Sequence, residues 1–138
     1  MFDALLMSFL NGLPNLLMHY GTTLAILAAG IAIYVRVTPY PEIKLVKEGN
    51  MAAAISLSGG ILGIAIPLAA AMSPSVHPVE ILMWGAVALL VTLTVYWIAD
   101  HLFKEIPKRI EEGDCAAALV MSAIKLATAI ILAPAVAG

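Results

Sequence analysis

Residues 47–69 read KEGNMAAAISLSGGILGIAIPLA, and 64 positions further on residues 111–133 read EEGDCAAALVMSAIKLATAIILA. Each stretch opens on a charged corner and runs into about 20 mostly apolar residues, the length a helix needs to cross hydrocarbon. Neither alternates polar with apolar, as a barrel strand would. Hydrocarbon offers no partner to backbone N–H and C=O groups, so only a helix satisfies such a segment from within. Working outward, two more segments qualify. The four spans are expected near 17–37, 51–72, 79–99 and 115–136.

Composition supports the same reading. The 138 residues are 62% hydrophobic and 12% charged, with a mean hydropathy of +1.01. A soluble domain carries about 45–50% apolar and about 25% charged residues. A chain this short cannot bury such a surplus, because small domains leave much of their surface exposed. A soluble monomer and a disordered chain are thereby excluded. The net charge of −2 offers no basic face to nucleic acid. The one cysteine, Cys115, excludes an internal disulfide and reads as a small buried hydrophobe. The N-terminus has no Lys or Arg before Arg36, so it lacks the basic start of a signal peptide and reads as part of the mature protein.

The two quoted stretches align residue by residue. Glu48, Gly49 and Asn50 meet Glu112, Gly113 and Asp114, and Ala52, Ala53 and Ala54 meet Ala116, Ala117 and Ala118. The fold class read from this is an all-α membrane protein with four transmembrane helices. They are arranged as two parallel helix–loop–helix repeats, 1–72 and 79–138, with any pseudo-two-fold axis along the membrane normal. At each corner, Gly49 or Gly113 stops a helix and Asn50 or Asp114 caps the next one. An anion- or headgroup-binding role for these corners is the functional alternative. A short interfacial helix, PEIKLVKE, is expected after Thr38, started by Pro41.

Charge position sets the expected orientation. Of sixteen charged residues, five lie in 36–50 and eight in 100–114, and both loops join an odd span to an even one. The positive-inside rule puts these loops in the cytoplasm and both termini outside. Tyr20 and Trp84 then read as outer interfacial anchors, and Tyr34, Tyr96 and Trp97 as inner ones.

TPY (38–40), KEGN-x-AAAISLSG (47–59) and GILGIAIPLA (60–69) resemble the YjfL-like inner-membrane proteins, the family called domain of unknown function 350. The resemblance covers nearly the whole chain. It implies a small multi-pass bacterial inner-membrane protein with a repeated two-helix unit, and it implies no activity. The second copy departs from the first: Ala123, Ile124, Ala127 and Ile131 stand where Gly59, Gly60, Gly63 and Pro67 do.

Two features could carry function. Gly59 and Gly63 form a small-xxx-small pair beside a stripe of Ala52, Ser56 and Gly60, a face that lets backbones approach closely. Pro67 either kinks this helix in packing or breaks it to line a cavity. Lys125 sits about eleven residues into the fourth span, where a cation costs about 2.5–3.5 kcal/mol on insertion scales. Its helical neighbours Met121, Ser122, Thr128 and Ala129 form a small, weakly polar face expected to meet protein or water. No Asp or Glu of the chain is expected at its depth, Asp100 and Glu80 being near the membrane ends. Its partner is therefore left open among a carbonyl, a hydroxyl, water, a second subunit or a headgroup, and a neutral amine is the further alternative, since burial disfavours the charged form. No catalytic pair, metal-ligand spacing or cofactor motif appears, so no enzyme, metal or cofactor is expected. The expected partners are membrane lipids and a second copy of the chain, with another membrane protein as the alternative. The expected role is a self-associating structural or assembly subunit of the cell envelope. The alternative is a minimal ion channel or transport subunit with Lys125 lining an oligomeric pathway.

Overall fold

The computed structural model describes residues 1–138 as six helices and no strand. They are α1 (Phe2–Val37), α2 (Glu42–Lys47), α3 (Met51–Met72), α4 (Pro78–Leu102), α5 (Glu105–Glu111) and α6 (Cys115–Ala137). α1, α3, α4 and α6 are each long and apolar enough to cross a bilayer. α2 and α5 lie in the two charged loops, and a short turn around Ser73–His77 joins α3 to α4.

α3 is the hub, because its small residues let three neighbours approach its backbone. A methyl added at Gly59 would lie 2.5 Å from Ser122 Oγ and 2.9 Å from Ser122 Cα on α6. At Gly60 it would strike the Tyr34 ring of α1, and at Gly63 the Tyr96 hydroxyl of α4. Ser122 donates from Oγ to the Ile55 carbonyl at 2.8 Å, tying α6 to α3. In lipid no hydrophobic force draws helices together, so close backbone contact and interhelical hydrogen bonds carry the association. α3 runs unbroken through the buried Pro67, so of the two alternatives at this proline the break is not formed.

The small-residue face is therefore used within one chain. Ala52, Ser56, Gly59, Gly60 and Gly63 are all buried between α3 and its own neighbours.

α1 also differs from expectation. The first span is expected from near 17, yet the helix begins at Phe2. Gly12 keeps an ordinary helical φ, and Pro14 costs the helix only the hydrogen bond to Leu10. The 36 residues span about 54 Å at 1.5 Å per residue. That exceeds the ~30 Å hydrocarbon layer, so the first turns, exposed through Met18, extend past the bundle.

The two charged corners are built alike. Gly49 and Gly113 have φ of +87° and +89°, the left-handed region that glycine enters without penalty. Around them, Asn50 N–H bonds Leu45 O and Gly49 N–H bonds Val46 O, while Asp114 N–H bonds Arg109 O and Gly113 N–H bonds Ile110 O. Both corners are thus Schellman stops. Asn50 Oδ1 accepts from Ala53 N–H, and Asn50 Nδ2 donates to the Ile110 carbonyl at 3.1 Å, joining the two corners. Asp114 accepts from Ala116 and Ala117 N–H and pairs with Arg109 at 2.7 Å.

The hydrogen bond from Arg109, then that from Ala117 N–H, holds the Asp114 carboxyl below the usual carboxylate range. Because the folded value is depressed, the stabilisation is complete above the ordinary Asp value of about 3.9 and is lost as pH falls through the folded value. Wild type in detergent is therefore expected to lose melting temperature on acidification below about pH 4 more steeply than Asp114→Asn. Parallel melts at stepped pH check this, and equal slopes would refute it.

Candidate functional site

The site is built where α2 turns inward. Pro41 opens the helix, and Glu42 at its first position is fully buried against α1 and α3. Its neighbour Ile43 is exposed, so this short helix points its carboxylate in and an apolar side chain out. Tyr34, one turn after the buried Gly30, faces the bundle from α1. Lys125 faces it from α6 and is also fully buried.

These groups form one chain of hydrogen bonds. Lys125 Nζ donates to Tyr34 Oη at 2.8 Å, and Tyr34 Oη donates to Glu42 Oε1 at 2.9 Å. Ser56 Oγ donates to the same carboxylate oxygen at 3.0 Å. With that proton committed, the 2.6 Å contact between Tyr40 Oη and Ser56 Oγ has tyrosine as donor. Burial, then the nearby Glu42 carboxylate, pushes the Tyr40 phenol above its ordinary range, so it stays a neutral donor at physiological pH.

Two aromatic rings complete the enclosure. Lys125 Nζ lies 4.7 Å from the Tyr34 ring centroid and 4.9 Å from that of Tyr96, within cation–π range. The rings meet edge to face at 5.4 Å, and Tyr96 Oη donates to the Gly60 carbonyl at 3.0 Å. Asp100, near the charged-loop end of α4 and one turn beyond Tyr96 on the same face of that helix, is 6% exposed. Two buried side-chain oxygens lack a hydrogen-bond partner: Glu42 Oε2 and Asp100 Oδ1.

Several expectations are corrected here. Lys125 does have acidic company, supplied by a loop helix folding into the bundle and by Asp100, which is drawn inside. Its immediate partner is the Tyr34 hydroxyl. It lies at the centre of one chain, so it does not present itself to an axis between chains. Tyr34 and Tyr96 are core residues, while Tyr20, Trp84 and Trp97 remain outward. Cys115 is half-buried rather than enclosed. At the corners, Asn50 and Asp114 fill their helix N-termini with their own side chains.

The sequence reading missed Glu42, Tyr34, Tyr40 and Tyr96. One signal was available. At the offset of 64, Lys125 stands opposite Ile61 and Glu42 opposite Ile106. Each copy of the pattern thus has an ionisable group where the other has isoleucine.

A family model described as Domain of Unknown Function (DUF350) matches residues 7–136, nearly the whole chain and all four spans. The chain belongs to this family. Among curated relatives, the UPF0719 inner membrane protein YjfL of Escherichia coli K12 is 29% identical over 121 residues, covering 88% of this chain and 92% of the relative. The UPF0719 transmembrane protein YshE of Bacillus subtilis is 25% identical over 126 residues, covering 89% and 93%. No solved structure matches the chain. This DUF350 protein is thus a multi-pass membrane protein similar to inner-membrane proteins, with four helices long and apolar enough to cross a bilayer.

Proposed function

We propose that this DUF350 protein moves charge across the inner membrane, with the Lys125–Tyr34–Glu42 relay as its working part and the charged loops in the cytoplasm. One observation carries the reading: a cation and a carboxylate, both fully buried, are joined through a single phenol hydroxyl. An ionisable group at membrane depth is costly and is by default a functional candidate. The competing role, a self-associating assembly subunit, rested on the small-residue face, which α1, α4 and α6 already occupy. The relay belongs to each chain separately, so charge movement needs no shared pore.

The test is flux into liposomes holding the purified protein, driven by a potassium diffusion potential and read with a pH-sensitive dye. Sodium, potassium and chloride are assayed in parallel. Wild type is expected to conduct. Lys125→Met, at unchanged gel-filtration volume and helicity, is expected to lose about ten-fold or more, the effect of a 1.4 kcal/mol higher barrier. Flux no greater than in empty liposomes for every ion would overturn the reading.

A further inference from the structure

The buried centre is not balanced in charge. It contains one cation, Lys125, and two carboxyls, Glu42 and Asp100. It also contains two orphan acceptors, one on each carboxyl. Glu42 Oε1 takes two hydrogen bonds while Oε2 takes none. An uncompensated charge in a low-dielectric interior is expensive, and such a site neutralises itself instead. An unpaired buried acceptor carries its own desolvation cost. Both costs fall if the centre binds one more singly charged cation.

We infer that this cation is a proton, taken up from water on the charged-loop side and held on one of the two orphan oxygens, Glu42 Oε2 or Asp100 Oδ1. The inference rests on the charge-moving reading and names what is moved. Uptake forms one O–H bond and leaves the released base in the loop-side water. A proton fits the site because it fills an orphan acceptor without needing the several oxygen ligands or the space of a metal ion. No cluster of three or more His, Cys, Asp or Glu side chains is present to hold one.

The groups facing the centre leave no other source of balance. α6 contributes Lys125, α1 contributes Tyr34 and the following loop contributes Tyr40. α4 contributes Tyr96 and, beside Asp100, His101, whose exposed ring bonds the Trp97 carbonyl. α3 contributes only the neutral Ser56. The basic residues of α2 and α5, namely Lys44, Lys47, Lys108 and Arg109, are exposed and screened by water. Asp100, near the loop end of its helix, is the natural point of entry.

Infrared spectroscopy of the full chain in vesicles at neutral pH reads this directly, through the C=O stretch of a protonated carboxyl that shifts in deuterated water. Wild type is expected to give the intensity of one such group. Glu42→Gln and Asp100→Asn are each expected to abolish it, since either change leaves Lys125 balanced by the remaining carboxylate. Lys125→Met is expected to double it. Carbon-13 labelling of aspartate or glutamate alone assigns the band in wild type without any substitution. No band in wild type, or a band surviving in both carboxyl variants, would overturn the inference. Flux that needs Lys125 but comes without the band would retain the relay and reject the proton. A band without flux would retain the proton and reject the transport reading.

Discussion

Lys125→Met is expected to destabilise the folded chain by about 3–5 kcal/mol, the scale for removing one partner from a buried charged network. The reason is what remains behind: two buried carboxyls with no cation, and a Tyr34 hydroxyl that has lost its donor. Glu42→Gln is expected to cost less, because an amide oxygen can still accept from Tyr34 and Ser56. Tyr34→Phe removes the bridge, leaving Nζ without its acceptor and Oε1 with Ser56 as its one remaining donor, at about 1–3 kcal/mol. The diagnostic is the double variant Lys125→Met/Glu42→Gln. Groups in one network couple by about 0.5–3 kcal/mol, so the double variant should be more stable than the sum of the singles. Unfolding of the full chain in mixed micelles with increasing sodium dodecyl sulfate measures all four proteins. Additive losses would show that Lys125 and Glu42 do not share a site.

The second large effect is at the glycines of α3. Gly59→Leu and Gly63→Leu are expected to drive α6 and α4 away from α3 and to abolish the native pairing of the spans. At Gly59 the first added carbon already meets Ser122 Cα at 2.9 Å, and a backbone atom cannot step aside. At Gly63 it meets the Tyr96 hydroxyl and lies 3.3 Å from the Lys125 carbonyl, so the relay is displaced as well. Even alanine at these positions is expected to cost about 1–3 kcal/mol, the usual range for overpacking. Gly21→Leu is the control, since nothing lies within 4 Å of a carbon added there. The same micellar unfolding, with near-ultraviolet circular dichroism for the packing of the tyrosines, separates the outcomes. Equal behaviour of Gly21→Leu and Gly59→Leu would refute the packing account.

The four spans were legible because hydropathy over about 20 residues is a property of a segment and survives any arrangement of its neighbours. The site was not, because it depends on which way single side chains face. Glu42 belongs to a helix of six residues whose buried position is charged and whose next residue, Ile43, is exposed. Hydrophobic periodicity assigns such a helix to water. Tyr34 and Tyr96 lie near span ends, where aromatic residues usually anchor at the interface. What turns them inward is the space left by Gly60 and Gly63 on another helix, a pairing that only the packed bundle reveals. Lys125 did stand out, since a cation at membrane depth contradicts its surroundings whatever the fold. The start of α1 differs because a spanning stretch of about 20 apolar residues does not limit the helix that contains it, and α1 continues through Pro14 back to Phe2.

The account stands or falls on the loop helix burying Glu42 in the bundle. Cys115 is the only cysteine, so a Cys115→Ala background makes single thiols readable. In it, Glu42→Cys, Lys44→Cys and Lys47→Cys are treated in vesicles with a membrane-impermeant maleimide given access to the charged-loop side. The two lysine positions are expected to react quickly and Glu42→Cys to stay unlabelled until the protein is unfolded. Labelling of Glu42→Cys as fast as Lys44→Cys, at unchanged gel-filtration volume, would place the carboxylate in water and contradict the account.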